Sequence, residues 1–189
     1  MEGFIMDSIN LMMDEHKTIK KGLAVIRKMS IAVLNNKEVP FDDFKTIIEF
    51  VRNYADKHHH NKEEEILFKK MKVELGAETV DAPLSGMFIE HDFGRLFIKT
   101  LEQALERVKT GDKDSIVDII ANAIGYTDLL YRHIDKEDKV IYTFARRTLN
   151  SQAIKDVDDK CEEIERAAEV KKLQNTYIGI IKQLEDKWM

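Results

Sequence analysis

Long stretches of the chain return an apolar residue every three or four positions, and no stretch alternates convincingly with period two. Ile9, Met12, Ile19, Leu23 and Ile26 share one stripe, which predicts a helix from about Asp7 to about Leu34, ending in the turn-like NNKEVP at 35–40. A second helix is expected from near Phe41, after Pro40, through Phe44, Ile48, Val51, Ala55 and Ile66 to a stop at Gly76. The third is expected to begin around Pro83, since proline is tolerated in a first turn, and to carry Leu84, Met87, Ile98, Leu101, Leu105 and Val108 before Gly111. The fourth starts after Asp112 or Asp114 as a cap and aligns Ile116, Ile119, Ala123, Tyr126, Leu130, Val140 and Phe144.

Short links at 35–40 and 110–112, and a slightly longer one at 76–82, favour antiparallel neighbours. The expected fold is therefore all-α, an up-down-up-down four-helix bundle over residues 1–150. Residues 151–189 form a fifth amphipathic segment with Ile154, Val157, Cys161, Ile164, Leu173, Tyr177, Ile180 and Leu184 on one face. Packing on the outside of the bundle is the expected use of that face. The alternative is a partner or dimer interface, so the chain is read as a monomer or as a homodimer through this segment.

Polar side chains interrupt the four apolar seams. The second helix carries His59-x-x-x-Glu63 and the fourth repeats it as His133-x-x-x-Glu137, each pair followed by apolar residues at matching offsets. A spacing of four puts both side chains on one helical face, about 6 Å apart along the axis, which suits two donors aimed at one centre. The other two helices supply one histidine each, His16 within Asp14-Glu15-His16 and His91 within Glu90-His91-Asp92. Counting from the loops tests whether they can meet. His16 lies 18 residues before Leu34 and His59 lies 18 after Phe41; at 1.5 Å per residue both stand roughly 27 Å from their shared turn. Similar counts across the other links bring all four histidines within about one turn of a common plane.

Four histidines and two glutamates in one buried layer cost several kcal/mol if nothing neutralises them, and divalent cations would remove that cost. Imidazole with carboxylate suits iron, manganese and zinc, whereas calcium and magnesium prefer all-oxygen sites. Six donors exceed one tetrahedral ion. Two octahedral ions bridged by Glu63 and Glu137, with an oxo or hydroxo bridge and two histidines each, would use every donor and leave an open position per metal.

Order, spacing and number of these residues resemble the hemerythrin-like, or HHE cation-binding, domains over roughly residues 7 to 149, carried by His16, His59-x-x-x-Glu63 with EEEILF, Glu90-His91-Asp92 and His133-x-x-x-Glu137. The resemblance implies a non-haem di-iron centre that engages oxygen, nitric oxide, peroxide or iron itself. The set is similar to the four-histidine branch, which includes proteins linked to nitric oxide responses and to repair of iron–sulfur clusters. Binding or sensing of a small diatomic ligand, oxygen or nitric oxide, is the first expectation. A di-iron oxidoreductase acting on peroxide or nitric oxide, or iron storage and delivery, is the alternative.

The remaining features adjust this picture little. A formal net charge of -5 with interspersed signs gives no phosphate-binding face, so no nucleic-acid partner is expected. Cys161 is the single cysteine, which excludes an internal disulfide and fits a reducing compartment. The opening MEGFIMDSIN lacks a basic segment followed by an apolar run, and no apolar run approaches the roughly 20 residues of a membrane span. No membrane partner and a cytoplasmic location follow as expectations. His58 and His60 flank His59 and are read as solvated or outer groups. Tyr54 and Tyr126 are read as core, the methionines as core fillers, and Gly94 as room for a ligand or for close packing.

Overall fold

A computed structural model describes residues 6–35 and 38–189. The first five residues of the MEGFIMDSIN segment, and Asn36 and Lys37 of the first expected turn, lie outside the described residues. Helix α1 (Ser8–Leu34) begins where expected because the Asp7 side chain accepts from Asn10 N at 2.9 Å. The second rod spans 41–75 and is not uniform: α2 (Phe41–Phe50) widens into π1 (Val51–His60) and π2 (Glu63–Leu67) before α3 (Phe68–Leu75) closes it. A π-turn carries about one residue more than an α-turn and tends to occur at functional positions. Here the wide turns hold His59 and Glu63.

Gly76, at φ 80, ends the second rod, and α4 (Ala77–Lys109) starts at the next residue. The link expected at 76–82 is therefore helical, and Pro83 lies inside α4 rather than in its first turn. One left-handed glycine makes the reversal alone. The buried stripe of α4 already begins at Val80, and Pro83 is exposed, where its missing N–H faces no packed neighbour. A 3-10 turn (Lys113–Ser115) leads into α5 (Ile116–Lys136), π3 (Glu137–Ile141) and α6 (Tyr142–Thr148). Glu137 thus also stands on a wide turn.

The carboxy-terminal segment is two helices rather than one. In α7 (Ser151–Val170) the Asn150 side chain caps Ala153 N, and α8 (Leu173–Trp188) follows a left-handed Lys172 at φ 53. The lysine pair at 171–172 carries no apolar side chain that would hold the helix to its stripe, and the chain turns there. Helix α7 packs against α1, α3 and π2, whereas α8 packs against α1, α2 and π1. Both lie on the bundle surface. All secondary structure among the described residues is helical, and none of these helices is long and apolar enough to cross a membrane.

The apolar core falls into two clusters. One gathers Leu23, Ile26, Phe44, Phe50, Leu101 and Leu130 with Ile181 of α8. The other gathers Met12, Leu67, Phe68, Leu84 and Tyr142 with Val157 and Cys161 of α7. Residues 16, 59, 63, 91, 133 and 137 separate the two in every rod.

Gly22 of α1 lies against α2: an added Cβ would stand 2.8 Å from Cε1 of the buried Phe50 ring. Gly22→Ala is expected to destabilise the protein by about 1–2 kcal/mol net of the helix-propensity gain. Gly86→Ala, with nothing within 4 Å of its added Cβ, is expected to stabilise by up to about 1 kcal/mol. Chemical denaturation of the two variants checks the opposite signs.

Candidate metal centre

Imidazole and carboxylate fill the space between the two apolar clusters. His16, His59, Glu63, His91, His133 and Glu137 are each at most 1% exposed. The structure brings all six of the residues singled out from the sequence into one layer. His16 Nε2 lies 2.8 Å from His59 Nε2, and His91 Nε2 lies 2.9 Å from His133 Nε2. Glu137 spans the two pairs, with Oε2 3.4 Å from His16 Nε2 and Oε1 3.1 Å from His133 Nε2. Glu63 Oε2 does the same, 3.7 Å from His59 Nε2 and 3.6 Å from His91 Nε2. The phenol of Tyr142 donates to Glu63 Oε1, but Glu63 Oε2 and both oxygens of Glu137 have no hydrogen-bond partner.

Four further carboxylates fix the imidazoles from outside. Glu15 accepts from His59 Nδ1 at 2.8 Å and Glu90 from His133 Nδ1 at 2.9 Å. Glu64 accepts from His91 Nδ1 at 2.6 Å and Asp138 from His16 Nδ1 at 2.7 Å. A carboxylate can only accept, so each Nδ1 carries a proton and each Nε2 is turned toward the layer. The two halves correspond residue by residue. Glu15 and Glu90 precede a histidine of their own helix and hold one on a neighbouring rod, while Glu64 and Asp138 follow the inner glutamates and do likewise. Cations back each acceptor: Lys62 donates to Glu15, Lys136 to Glu90, Lys20 to Asp138 and Arg95 to Glu64.

Sequence reasoning missed these outer carboxylates and the Tyr142 phenol. The signal available was adjacency, since every outer carboxylate abuts one of the six inner residues. Adjacency alone does not select, because Asp92 sits just as close in sequence to His91 and remains exposed to solvent.

The electrostatics of the layer follow from burial and crowding. Burial and the charge of Glu137 push the Glu63 carboxyl well above the usual range. Burial pushes Glu137 the same way but is outweighed by His133, His16 and His91, which hold it well below. Burial lowers His16 and His91, yet carboxylate partners more than offset it, Asp138 and Glu137 for His16 and Glu137 and Glu64 for His91, and both rise above the ordinary imidazole value. Burial and the neighbouring His16 charge press His59 down to about 4.

This donor set fits cations. Cis donors on one ion with bonds of about 2.1 Å stand about 3 Å apart, close to the two Nε2 separations. The three orphaned carboxylate oxygens are the groups that burial penalises most when nothing positive faces them. Two groups of donor atoms, His16, His59, Glu63 and Glu137, and His60, Glu63, His91 and His133, each lie mutually within 4.8 Å. Glu63 belongs to both.

His58 and His60, expected to be solvated or outer groups, are buried, at 4% and 6% exposure. Helices α7 and α8 cover His58, whereas His60 is enclosed by His59, His91 and His133. His58 Nε2 faces Glu15 and Glu165 at 3.0 and 3.1 Å, and burial, which lowers its basicity, is outweighed by these two partners. The Lys62 ammonium, wholly buried, closes the same cluster through Glu15 and Glu165, so the positive charge there is already supplied. Tyr54 and Tyr126 are core residues, as expected. Gly94 borders a cavity of about 360 Å³ whose walls include His60, His91, Ile98 and Tyr126. Its added Cβ would meet Leu130 and Tyr126 only at ordinary contact distance, 3.5 Å.

Cation binding must displace the protons that the raised His16, His91 and Glu63 hold in the metal-free layer, so apparent affinity rises with pH through the folded-state values of these groups. Calorimetry of zinc binding at pH 7 in two buffers of different ionisation enthalpy is expected to reveal net proton release, and identical heats would contradict it. Glu90→Ala, which frees His133 Nδ1, is expected to lower zinc affinity about 10- to 100-fold with the helical content unchanged.

No curated protein and no solved structure matches the chain. The model of the hemerythrin HHE cation binding domain matches residues 7–145, a span that contains all six inner residues and all four outer carboxylates. By that match the chain belongs to the hemerythrin HHE cation-binding domain family.

Proposed function

We propose that the layer holds two iron ions and that the protein binds or senses a small diatomic ligand, oxygen or nitric oxide, there. In this reading His16 and His59 serve one ion, His91 and His133 the other, and Glu63 and Glu137 bridge them inside an up-down-up-down four-helix bundle. The observation that carries it is the convergence of four imidazole Nε2 atoms and three unpartnered carboxylate oxygens in a layer closed to solvent. Manganese or zinc could use the same donors. Iron, when bound, supplies redox-active coordination positions that exchange small ligands.

The chain's own residues prepare that chemistry. Glu15, Glu64, Glu90 and Asp138 fix the tautomer and direction of each imidazole before any ion arrives, which limits the reorganisation that binding requires. Tyr142 donates to Glu63 Oε1 and leaves Oε2 as its free donor. The cavity bordered by Gly94, Ile98 and Tyr126 reaches His91 from outside and is ample for a diatomic molecule. Complete burial of the six side chains favours retention of the ions over their delivery to an acceptor.

Iron-loaded protein is expected to contain two irons per chain and to give a reversible spectral change when the reduced form meets oxygen or nitric oxide. Steady consumption of peroxide or nitric oxide with an electron donor would favour the oxidoreductase reading instead. His59→Ala and Glu137→Ala are each expected to halve the iron content or worse, whereas His58→Ala, whose Nε2 is already engaged by carboxylates, is expected to keep it. Equal loss in all three would contradict the ligand assignment.

A further inference from the structure

Helix α4 carries a second seam, on the side away from the core. Gly86, Ile89, Phe93, Leu96, Thr100 and Gln103 follow one another at alternating steps of three and four residues, and none of them is buried or charged. The outward face of a surface helix is normally its charged face, and this chain is 34% charged. Ile89, Phe93 and Leu96 are each more than half exposed, and among the described residues no other helix leaves three large apolar side chains so open. Single exposed apolar residues are ordinary, but a contiguous apolar patch marks an interaction surface.

The spacing indicates the kind of surface. Steps of three and four place these residues at the a and d positions of a heptad, the pattern by which two helices interlock their side chains. Asp92 and Lys99 then occupy the flanking g positions, with Ser85 and Glu106 beyond them. In a parallel pair of α4 helices each g residue faces an e residue of the next heptad, which sets Asp92 against the partner's Phe97 and Lys99 against the partner's Ala104 and joins no opposite charges.

An antiparallel pair is different, because g then faces g. With the twofold axis between Phe93 and Leu96, each Phe93 packs on the partner's Leu96 and each Ile89 on the partner's Thr100. Asp92 stands across from the partner's Lys99, and symmetry repeats the pair. Sliding one helix by a heptad in one direction sets Asp92 against the partner's Asp92. Sliding it the other way sets Lys99 against the partner's Lys99 and Asp92 against the partner's Glu106. Like charges thus disfavour both neighbouring registers, and opposite charges favour the central one. Asp92 and Lys99 are both exposed, and the bond of Asp92 to Arg95 on its own helix is a surface pair that can be shared. At one end of the seam, nothing lies within 4 Å of a Cβ added to Gly86, which leaves room for the partner's Gln103.

We propose that a second copy of the chain docks on this face, the two α4 helices packing antiparallel about a twofold axis between Phe93 and Leu96. Such an interface is isologous and closes at two copies. The seam from Gly86 to Gln103 is about 26 Å long and covers several hundred Å² on each copy, the size of a weak interface, so association in the micromolar range follows. The carboxy-terminal segment is not required for it, because α7 and α8 already pack on the first and second rods. Nor does the pairing depend on what the metal layer holds.

Sedimentation velocity of the full chain from about 1 to 300 µM is expected to show a monomer–dimer equilibrium, and a chain that stays monomeric throughout would overturn the proposal. Phe93→Glu, at a side chain the monomer leaves exposed, is expected to weaken association at least about 100-fold with helical content unchanged. A dimer that survives this substitution uses another face and would also overturn the proposal. Lys99→Asp is expected to weaken association about tenfold, and adding Asp92→Lys to the same chain to restore it. Should a variant fail to fold, zero-length carbodiimide coupling of mixed light and nitrogen-15 chains decides the matter. Within one helix Asp92 and Lys99 stand about 10 Å apart, too far for a direct amide bond. A link between them that joins a light peptide to a heavy one is therefore expected, and its absence would overturn the proposal.

Discussion

The constraint on which the rest of the structure depends is the burial of two glutamates without enough hydrogen-bond partners to satisfy them. Glu63 and Glu137 stand side by side in a layer shut off from water, and three of their four oxygens accept no hydrogen bond. Uncompensated carboxylates in such a place would cost several kcal/mol each. The apolar core cannot relieve this, since it ends above and below the layer. What surrounds the glutamates is instead a ring of imidazole Nε2 atoms, and only a cation turns that ring from a set of crowded dipoles into a set of bonds.

Everything outside the ring serves to hold its direction. The carboxylate that fixes each histidine comes from a different rod, so the hydrogen bonds to His16, His59, His91 and His133 also pin the rods against sliding past one another. Helices α7 and α8 extend this outward on one side. Glu165 of α7 bonds to Lys62, which bonds to Glu15, which in turn holds His59. Gln174 of α8 joins the same cluster through Glu15, His58 and Glu165. The segment after residue 150 is thus tied to the centre by charge as well as to the core by Val157 and Ile181.

The inner residues were legible in the sequence because each interrupts an apolar stripe, and because loop lengths set their level along the rods. Helical periodicity placed α1 and the overall course of the second and fourth rods. It could not reveal the π-turns, since an inserted residue changes the angle between neighbours without changing which residue types are present. That is why the burial of His60 against His91 was not legible in the sequence. Pro83 misled for a related reason. A proline on the exposed face of α4 interrupts no packing, so the helix begins earlier, at the left-handed Gly76. The break at Lys172 depends on a single residue's φ, and composition near it differs little from the rest of an exposed helix. Outer carboxylates were hidden by abundance, because a chain with 35 acidic residues places one beside almost any histidine.

The most direct test is anomalous diffraction at the iron edge from crystals of the iron-loaded chain. The account predicts two peaks within the layer, both bonded to Glu63 and Glu137, one between His16 and His59 and the other between His91 and His133. A single peak, or iron bound away from the two glutamates, would contradict it.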